Sequence, residues 1–170
     1  MIHLQPFNRN DYDRLISWID SAEMLMQFAG PAFSFPLSYE QLDSSLSDNR
    51  RTAFKAINTD DNTMIGYAEI YCTDESAHLG RILIGDATQR GKGIGQLMVA
   101  QLLRIAFEEL NQTLATLNVF DWNIAAIKCY EKAGFTVNPD KKVQRKVNGE
   151  TWTAIGMRLH KCNWQFLRLK

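Results

Sequence analysis

The segment Arg90-Gly91-Lys92-Gly93-Ile94-Gly95 constrains this chain more than any other. It follows a β-branched and aliphatic run ending at Ile84 and opens a long amphipathic stretch. Three glycines in five residues let the backbone turn tightly and approach a ligand closely. The helix start beyond them offers free N–H groups and the positive end of a dipole, a cradle for phosphate to which Arg90 and Lys92 add charge. A plain strand-to-helix turn would use the same glycines. Two nucleotide motifs fail on the residues present. A dinucleotide fingerprint starting at Gly91 needs glycine where Gln96 stands, and a phosphate loop of the Walker type needs Ser or Thr where Gly93 follows Lys92.

The texture around this loop predicts one mixed domain. Residues 2–5 read as a short strand. Asn10 or Asp11 can cap a helix carrying Leu15, Trp18, Ile19 and Ala22, and Gly30-Pro31 breaks the chain. Ser38 and Gln41 fit a capping box opening a second short helix. Thr52–Ile57, Met64–Cys72 and Ala77–Ile84 alternate with polar turns and predict an antiparallel meander. A helix over 92–110 has Gln101, Arg104 and Glu108 on its polar stripe and Leu97, Met98, Leu102 and Ile105 on its apolar side. Leu114–Phe120 is a strand, and 123–133 is a helix stopped by Gly134. The stretches 135–137 and 141–147 are extended, and Asn148-Gly149 turns a hairpin into 151–159. The order β α α β β β α β α β β gives an α+β fold with helices packed on a mixed sheet.

Composition narrows the function classes. The 170 residues suit a single domain, 1–170, and 45% apolar with 22% charged residues exclude disorder. No apolar run approaches a membrane span, and the N-terminus lacks a signal-peptide core. Three cysteines without a CxxC predict free thiols in a cytoplasmic protein, and three scattered histidines predict no metal site. The 19 Lys/Arg balance the 19 Asp/Glu, which disfavours a nucleic-acid partner. That balance hides a split: residues 1–88 carry a net of −7 and residues 89–170 a net of +7.

A second motif gives the glycine loop its meaning. The R-x-x-G-x-G spacing from Arg90 resembles the acetyl-coenzyme A loop of the GNAT acyltransferase superfamily. The segment from Asn123 through Ala126, Tyr130 and Gly134-Phe135 is similar to that family's N-x-x-A-x-x-x-Y-x-x-x-G-F motif. The resemblance covers residues 50–160 well. The first 50 match more loosely the bacterial subgroup that includes ribosomal-protein N-terminal acetyltransferases.

The resemblance implies a mostly antiparallel sheet with helices on both faces, and acetyl-CoA lying where two parallel strands splay apart. It places the backbone of Ile82, Leu83 and Ile84 on the pantetheine and acetyl group. It assigns the pyrophosphate to Arg90, Gly91, Lys92, Gly93, Ile94 and Gly95, and the pantetheine arm to Asn123, which also reads as a helix cap. Tyr130 is the implied general acid. A phenol near ~10 can protonate a leaving thiolate whose thiol titrates near ~8.5.

The base is less clear. Asn118 stands where the N-terminal acetyltransferases carry glutamate, so Glu69, His78 or a water relay are the candidates. Glu69 and His78 also read as surface strand residues. Phe33 and Phe35 fall where relatives wall the acceptor, Trp18 reads as core, and Lys141, Lys142, Arg145 and Lys146 as a solvated strand face.

The implied function is acetyl transfer to a primary amine in a ternary complex. The acidic half suggests a cationic small-molecule acceptor. Acetylation of protein N-termini and a non-catalytic acyl-CoA sensor are the alternatives. The expected assembly is a monomer or homodimer.

Overall fold

A computed structural model describes residues 1–168. Seven strands form one sheet in the order β1-β2-β3-β4-β5-β7-β6: β1 Ile2–Pro6, β2 Arg51–Asn58, β3 Met64–Cys72, β4 Ala77–Ile84, β5 Leu114–Phe120, β6 Thr136–Val147 and β7 Glu150–His160. All neighbours are antiparallel except β4 and β5. That parallel pair has only two rungs, Ala77 with Ala115 and His78 with Thr116. Beyond them β4 and β5 separate, while on its other edge β5 pairs along its whole length with β7.

The six α-helices are α1 Tyr12–Ile16, α2 Ala22–Ala29, α3 Tyr39–Leu46, α4 Ile94–Arg104, α5 Ile124–Lys132 and α6 Lys161–Arg168. Two apolar cores follow from period-two alternation in the strands. Phe54, Ala56, Ala68 and Ile70 face a core with Met98, Val99 and Leu102 of α4, Tyr130 of α5 and Trp164 of α6. Ala53, Tyr67 and Leu83 face the other core, against Tyr12, Leu15, Leu25 and Leu42 of α1–α3. Helices therefore cover both faces, as expected.

Several local expectations change. The first predicted helix is two: α1 ends at Ile16, and Ser21 caps a new helix by accepting from the Met24 amide at 3.2 Å. Neither Asn10 nor Asp11 caps α1 with its side chain. Asn8 instead forms a capping box with Asp11 over a preceding 3-10 turn, Arg9–Asp11. Ser38 caps α3 by accepting from the Gln41 backbone N–H, but the Gln41 side-chain amide accepts from the Ser34 N–H and donates to the Ser34 and Pro36 carbonyls rather than closing the box, stapling the loop before the helix.

The helix expected over 92–110 is α4 followed by a π-helical turn, Ile105–Glu109. Gln101 is not a solvent residue. It bonds the Leu4 amide and the Ile2 carbonyl, satisfying the free edge of β1. The two predicted extended pieces 135–137 and 141–147 are one strand, β6, with a register break between Asn138 and Lys142. Trp18 is half-buried and lies flat against Gly85, where a Cβ would fall 1.8 Å from its ring. Helix α6 was not anticipated.

Candidate active site

Where β4 and β5 part, the gap becomes a cleft of about 810 Å³. Its floor is β4 from His78 to Ile84 and β5 from Asn118 to Phe120. Residues of the glycine loop, residues 27–31 at the end of α2 and after it, and Arg145 of β6 also line the cleft. Strand edges at a splay leave main-chain N–H and C=O groups without ladder partners, which a bound amide chain can satisfy.

The glycine loop has the backbone its sequence demands. Gly91 and Gly93 take φ of +76° and +81°, which L side chains rarely adopt, and a Cβ at either would meet open space. The strain alone, not crowding, selects glycine there. Gly93 is the N-cap of α4 and has no side chain to occupy the first turn, so the helix N-terminus stays open toward the cleft. The Arg90 Nε donates to the Ile84 carbonyl at 3.1 Å, tying the loop to the end of β4.

Of the residues singled out from sequence, Ile82, Leu83, Ile84, Arg90, Gly91, Gly93, Gly95, Asn123 and Tyr130 line the cleft together. Lys92 and Ile94 flank the wall: Lys92 is exposed, and the Ile94 side chain packs on the α4 core. Asn123 caps α5 by accepting from the Ala126 amide at 3.3 Å, so its capping role is real whatever else it contacts.

Tyr130 is buried, with its ring edge-on to Phe135 at 6.2 Å. No described residue hydrogen-bonds its hydroxyl. Burial first, then the neighbouring Cys129, push its phenol well above the ordinary 10, so the group keeps its proton at any working pH.

The two candidate bases separate clearly. Glu69 is not a surface residue. It is 1% exposed, and both its oxygens are taken, Oε1 by the Tyr67 hydroxyl and Arg81 and Oε2 by Arg51. Three donors thus occupy three of the about four acceptor sites of this carboxylate, two of them from arginines. His78 sits at the last shared rung of β4 and β5, on the cleft wall, with Nδ1 3.0 Å from Thr116 Oγ1. It too is more buried than expected. Burial, then the Arg51 charge, hold its imidazole below the ordinary 6.5, so it is neutral at pH 7 and able to accept a proton. Asn118 is exposed to the cleft on β5.

Phe33 and Phe35 are not among the cleft-lining residues. Phe33 lines a shallow depression beside the cleft, joined to it by Arg51 and Arg81, and Phe35 points to solvent at 46% exposure. The wall itself comes from α2, through Met24, Gln27 and Phe28, and from Pro31. The acidic surplus of the first half is also not on the wall. Glu69 is the sole acidic residue among the described lining residues, facing Arg51, Arg81, Arg90, Lys128, Lys132 and Arg145. The other carboxylates, such as Asp11 on Lys55 and Asp43 on Arg9, lie outside it. Arg145 of the basic β6 stretch reaches the cleft, whereas Lys141, Lys142 and Lys146 stay solvated.

Arg81 was missed. The signal was present: a glycine and an arginine inside an apolar strand mark a bulge, and β4 has one there.

The family model for the GNAT acetyltransferase domain matches residues 2–136. The chain belongs to the GNAT acetyltransferase family. Among curated relatives, it is 27% identical over 149 residues to an aminoglycoside N(6')-acetyltransferase type 1 of Klebsiella pneumoniae, covering 79% of this chain and 73% of that protein. It is 22% identical over 158 residues to an N-acetyltransferase 9-like protein of Nematostella vectensis, covering 86% and 80%.

Solved GNAT structures share the fold. The spermidine N-acetyltransferase of Vibrio cholerae in complex with CoA and spermine superposes with a TM-score of 0.79 at 21% identity, covering 96% of this chain and 98% of that one. An aminoglycoside acetyltransferase in complex with coenzyme A gives 0.75 at 22% identity, covering 99% of each.

Proposed function

We propose that this protein is an N-acetyltransferase that moves acetyl from acetyl-CoA to a primary amine of a cationic small molecule, both substrates being bound together. The acetyltransferase domain spans the whole chain, 1–170. The observation that carries the reading is the splayed β4–β5 gap with an open helix N-terminus at its mouth and an unengaged, protonated phenol in its wall.

In this reading the pyrophosphate rests on the loop from Arg90 to Gly95, Lys92 and Ile94 included, held by backbone N–H groups and the α4 dipole. The pantetheine arm runs along Ile82, Leu83 and Ile84 opposite Asn123, its amides taking up the groups that β5 leaves unpaired. The cationic wall suits a ligand of several negative charges.

The amine nitrogen bonds the thioester carbonyl carbon, the carbon–sulfur bond breaks, and the Tyr130 hydroxyl gives its proton to the departing thiolate. The burial that raises the phenol also raises a thiolate formed beside it, so the two proton affinities stay close. The cationic amine gives one proton to the neutral His78 or to water before it attacks, and the second, lost as the amide forms, passes through solvent to restore the Tyr130 hydroxyl. Glu69, with two arginines and a tyrosine hydroxyl on its oxygens, is assigned no part as the base in this reading.

A cationic acceptor finds support in the spermidine- and aminoglycoside-acetylating relatives. The net −7 of residues 1–88 supports it as long-range attraction at the approach rather than as pairing in the wall. The unpaired cysteines Cys72, Cys129 and Cys162 suit a reducing, cytoplasmic setting for a monomer or homodimer.

The test is thiol release from acetyl-CoA against a panel of polyamines, amino sugars and N-terminal peptides. Turnover with one of the first two classes is expected. Coenzyme A binding without turnover on any amine would refute the reading.

A further inference from the structure

The transfer chemistry leaves one buried charged cluster without a role. Glu69 receives Arg81 Nη1 at 2.8 Å, together with Arg51 and the Tyr67 hydroxyl. Buried ion clusters are weak sources of stability, because desolvation offsets the attraction. A stabilising purpose therefore does not explain it.

Its position does. Opposite Glu69 on β3 stands Gly80 of β4, and opposite Tyr67 stands Leu83, so β4 uses Arg81 and Ile82 where β3 uses Ala68 alone. Arg81 is the pivot of this bulge and takes φ of +51°, a left-handed conformation an arginine holds only when its surroundings impose it. The pairing of β4 with β3 on either side constrains its backbone, and its side-chain contacts gather at the guanidinium. Besides Glu69, Nη1 donates to Ser45 Oγ of α3 at 2.9 Å, and the group lies 4.2 Å from the Phe33 ring centroid. Downstream of the pivot, Ile82, Leu83 and Ile84 form the cleft wall. There the Leu83 carbonyl packs so close to Gly66 that a Cβ on that glycine would fall 2.8 Å from it.

We infer that Arg81, held by Glu69 and Ser45, is a positioning residue: it locks the β4 bulge and so sets the backbone of Ile82 to Ile84 against the reacting thioester. One side chain then links the loop and helix beside the acceptor end to the strand that carries the acyl group. Freed of these contacts, the arginine backbone relaxes toward negative φ, and the bulge shifts the wall after it. A displacement of about 1 Å at the reacting centre costs on the order of 10²-fold in rate.

The inference rests on the proposal that the thioester lies along Ile82 to Ile84, and the experiment separates the two. Thiol release gives kcat and KM with an accepted amine, calorimetry gives coenzyme A affinity, and thermal melting reports folding. Arg81→Ala is expected to lose about 10²-fold in kcat, with a much smaller loss of coenzyme A affinity, since the glycine loop is untouched while the wall beside the pantetheine arm shifts. Arg81→Gly, which adopts the left-handed backbone freely, recovers part of the kcat loss. Arg81→Lys, which restores a charge on Glu69, also recovers part. Ser45→Ala, which leaves the buried charges paired, shows a smaller kcat loss with a still smaller change in affinity, and it keeps the test decisive if the Arg81 variants fail to fold.

A kcat per folded molecule equal to wild type in Arg81→Ala, with only the melting temperature lowered, overturns the inference. So does equal loss of kcat in Arg81→Ala and Arg81→Gly without rescue by lysine, or an unchanged kcat in Ser45→Ala when the Arg81 variants do not fold. Absence of thiol release by the wild-type enzyme on every amine refutes the acyl-transfer reading instead.

Discussion

Removing the Tyr130 hydroxyl should separate catalysis from stability with unusual clarity. In Tyr130→Phe the ring, its burial and its edge-on contact with Phe135 remain. The lost group has no hydrogen-bond partner among the described residues. A buried polar group left unsatisfied carries a desolvation penalty of about 1–3 kcal/mol, and only part of it applies to a hydroxyl at a cleft wall. Its deletion should leave the melting temperature unchanged or raise it by a few degrees, at about 2–4 °C per kcal/mol for a chain of this size. On the proposed site, coenzyme A is held chiefly by the glycine loop, so its affinity should hold. Turnover should fall by on the order of 10²-fold or more, the range of general-acid catalysis.

The same hydroxyl governs pH behaviour with a definite sign. An acid works only while protonated. Because burial raises this phenol above 10, no alkaline loss of kcat belongs to it below about pH 10. Circular-dichroism melts, calorimetry and thiol release together check the claim. A melting temperature lowered by several degrees would make the hydroxyl structural, and an unchanged kcat would remove it from the chemistry.

Other outcomes follow from the same coordinates. His78→Gln should slow turnover and alter the acid limb of kcat/KM: a base works deprotonated, its pKa lies below 6.5, so wild-type activity should be level above pH 7 and fall only as pH drops through that lowered value. Gly93→Ala should lose about 1–2 kcal/mol of stability from its φ of +81°, visible in denaturant melts, and should weaken coenzyme A binding because the loop shifts to relieve the strain. Gly85→Ala should destabilise by about 1–3 kcal/mol, since its Cβ must displace the Trp18 ring; a melting temperature equal to wild type would refute that contact. Raising salt from about 0.05 to 0.5 M should weaken coenzyme A binding, because exposed and half-buried cations in the wall are screened over that range.

The strands, the glycine turn and the motif around Tyr130 were legible because each is local. Alternation, turn chemistry and positive-φ glycines act over a few residues, and the structure places them as the sequence predicts. The misses were of another kind. The break at Ser21 falls inside a helical period that continues through Leu15, Trp18 and Ala22, so periodicity alone bridged it. Gln101 sat on the polar stripe of α4, and nothing local shows that β1 comes within reach of its amide. Glu69 looked like an outward strand residue, yet β3 is covered on both faces, and alternation carries no inward-outward meaning there. The charge split was visible as a sum over halves. Where each carboxylate points is decided by pairing with Arg9, Lys55 and Arg51, which come from distant segments.

The two-rung seam between β4 and β5 has a thermodynamic consequence. The sheet is in effect two blades, β1–β4 and β5–β7, laced through Ala77, His78, Ala115 and Thr116 and backed by α4 and α5. A ligand lodged in the gap touches both blades, so it binds the folded chain and has no counterpart site in the unfolded one. Saturating it at about 100 times its Kd adds about 2.7 kcal/mol to folding. On the proposed site, acetyl-CoA would serve as a missing lath in the sheet, and its concentration would help decide how firmly the protein holds together.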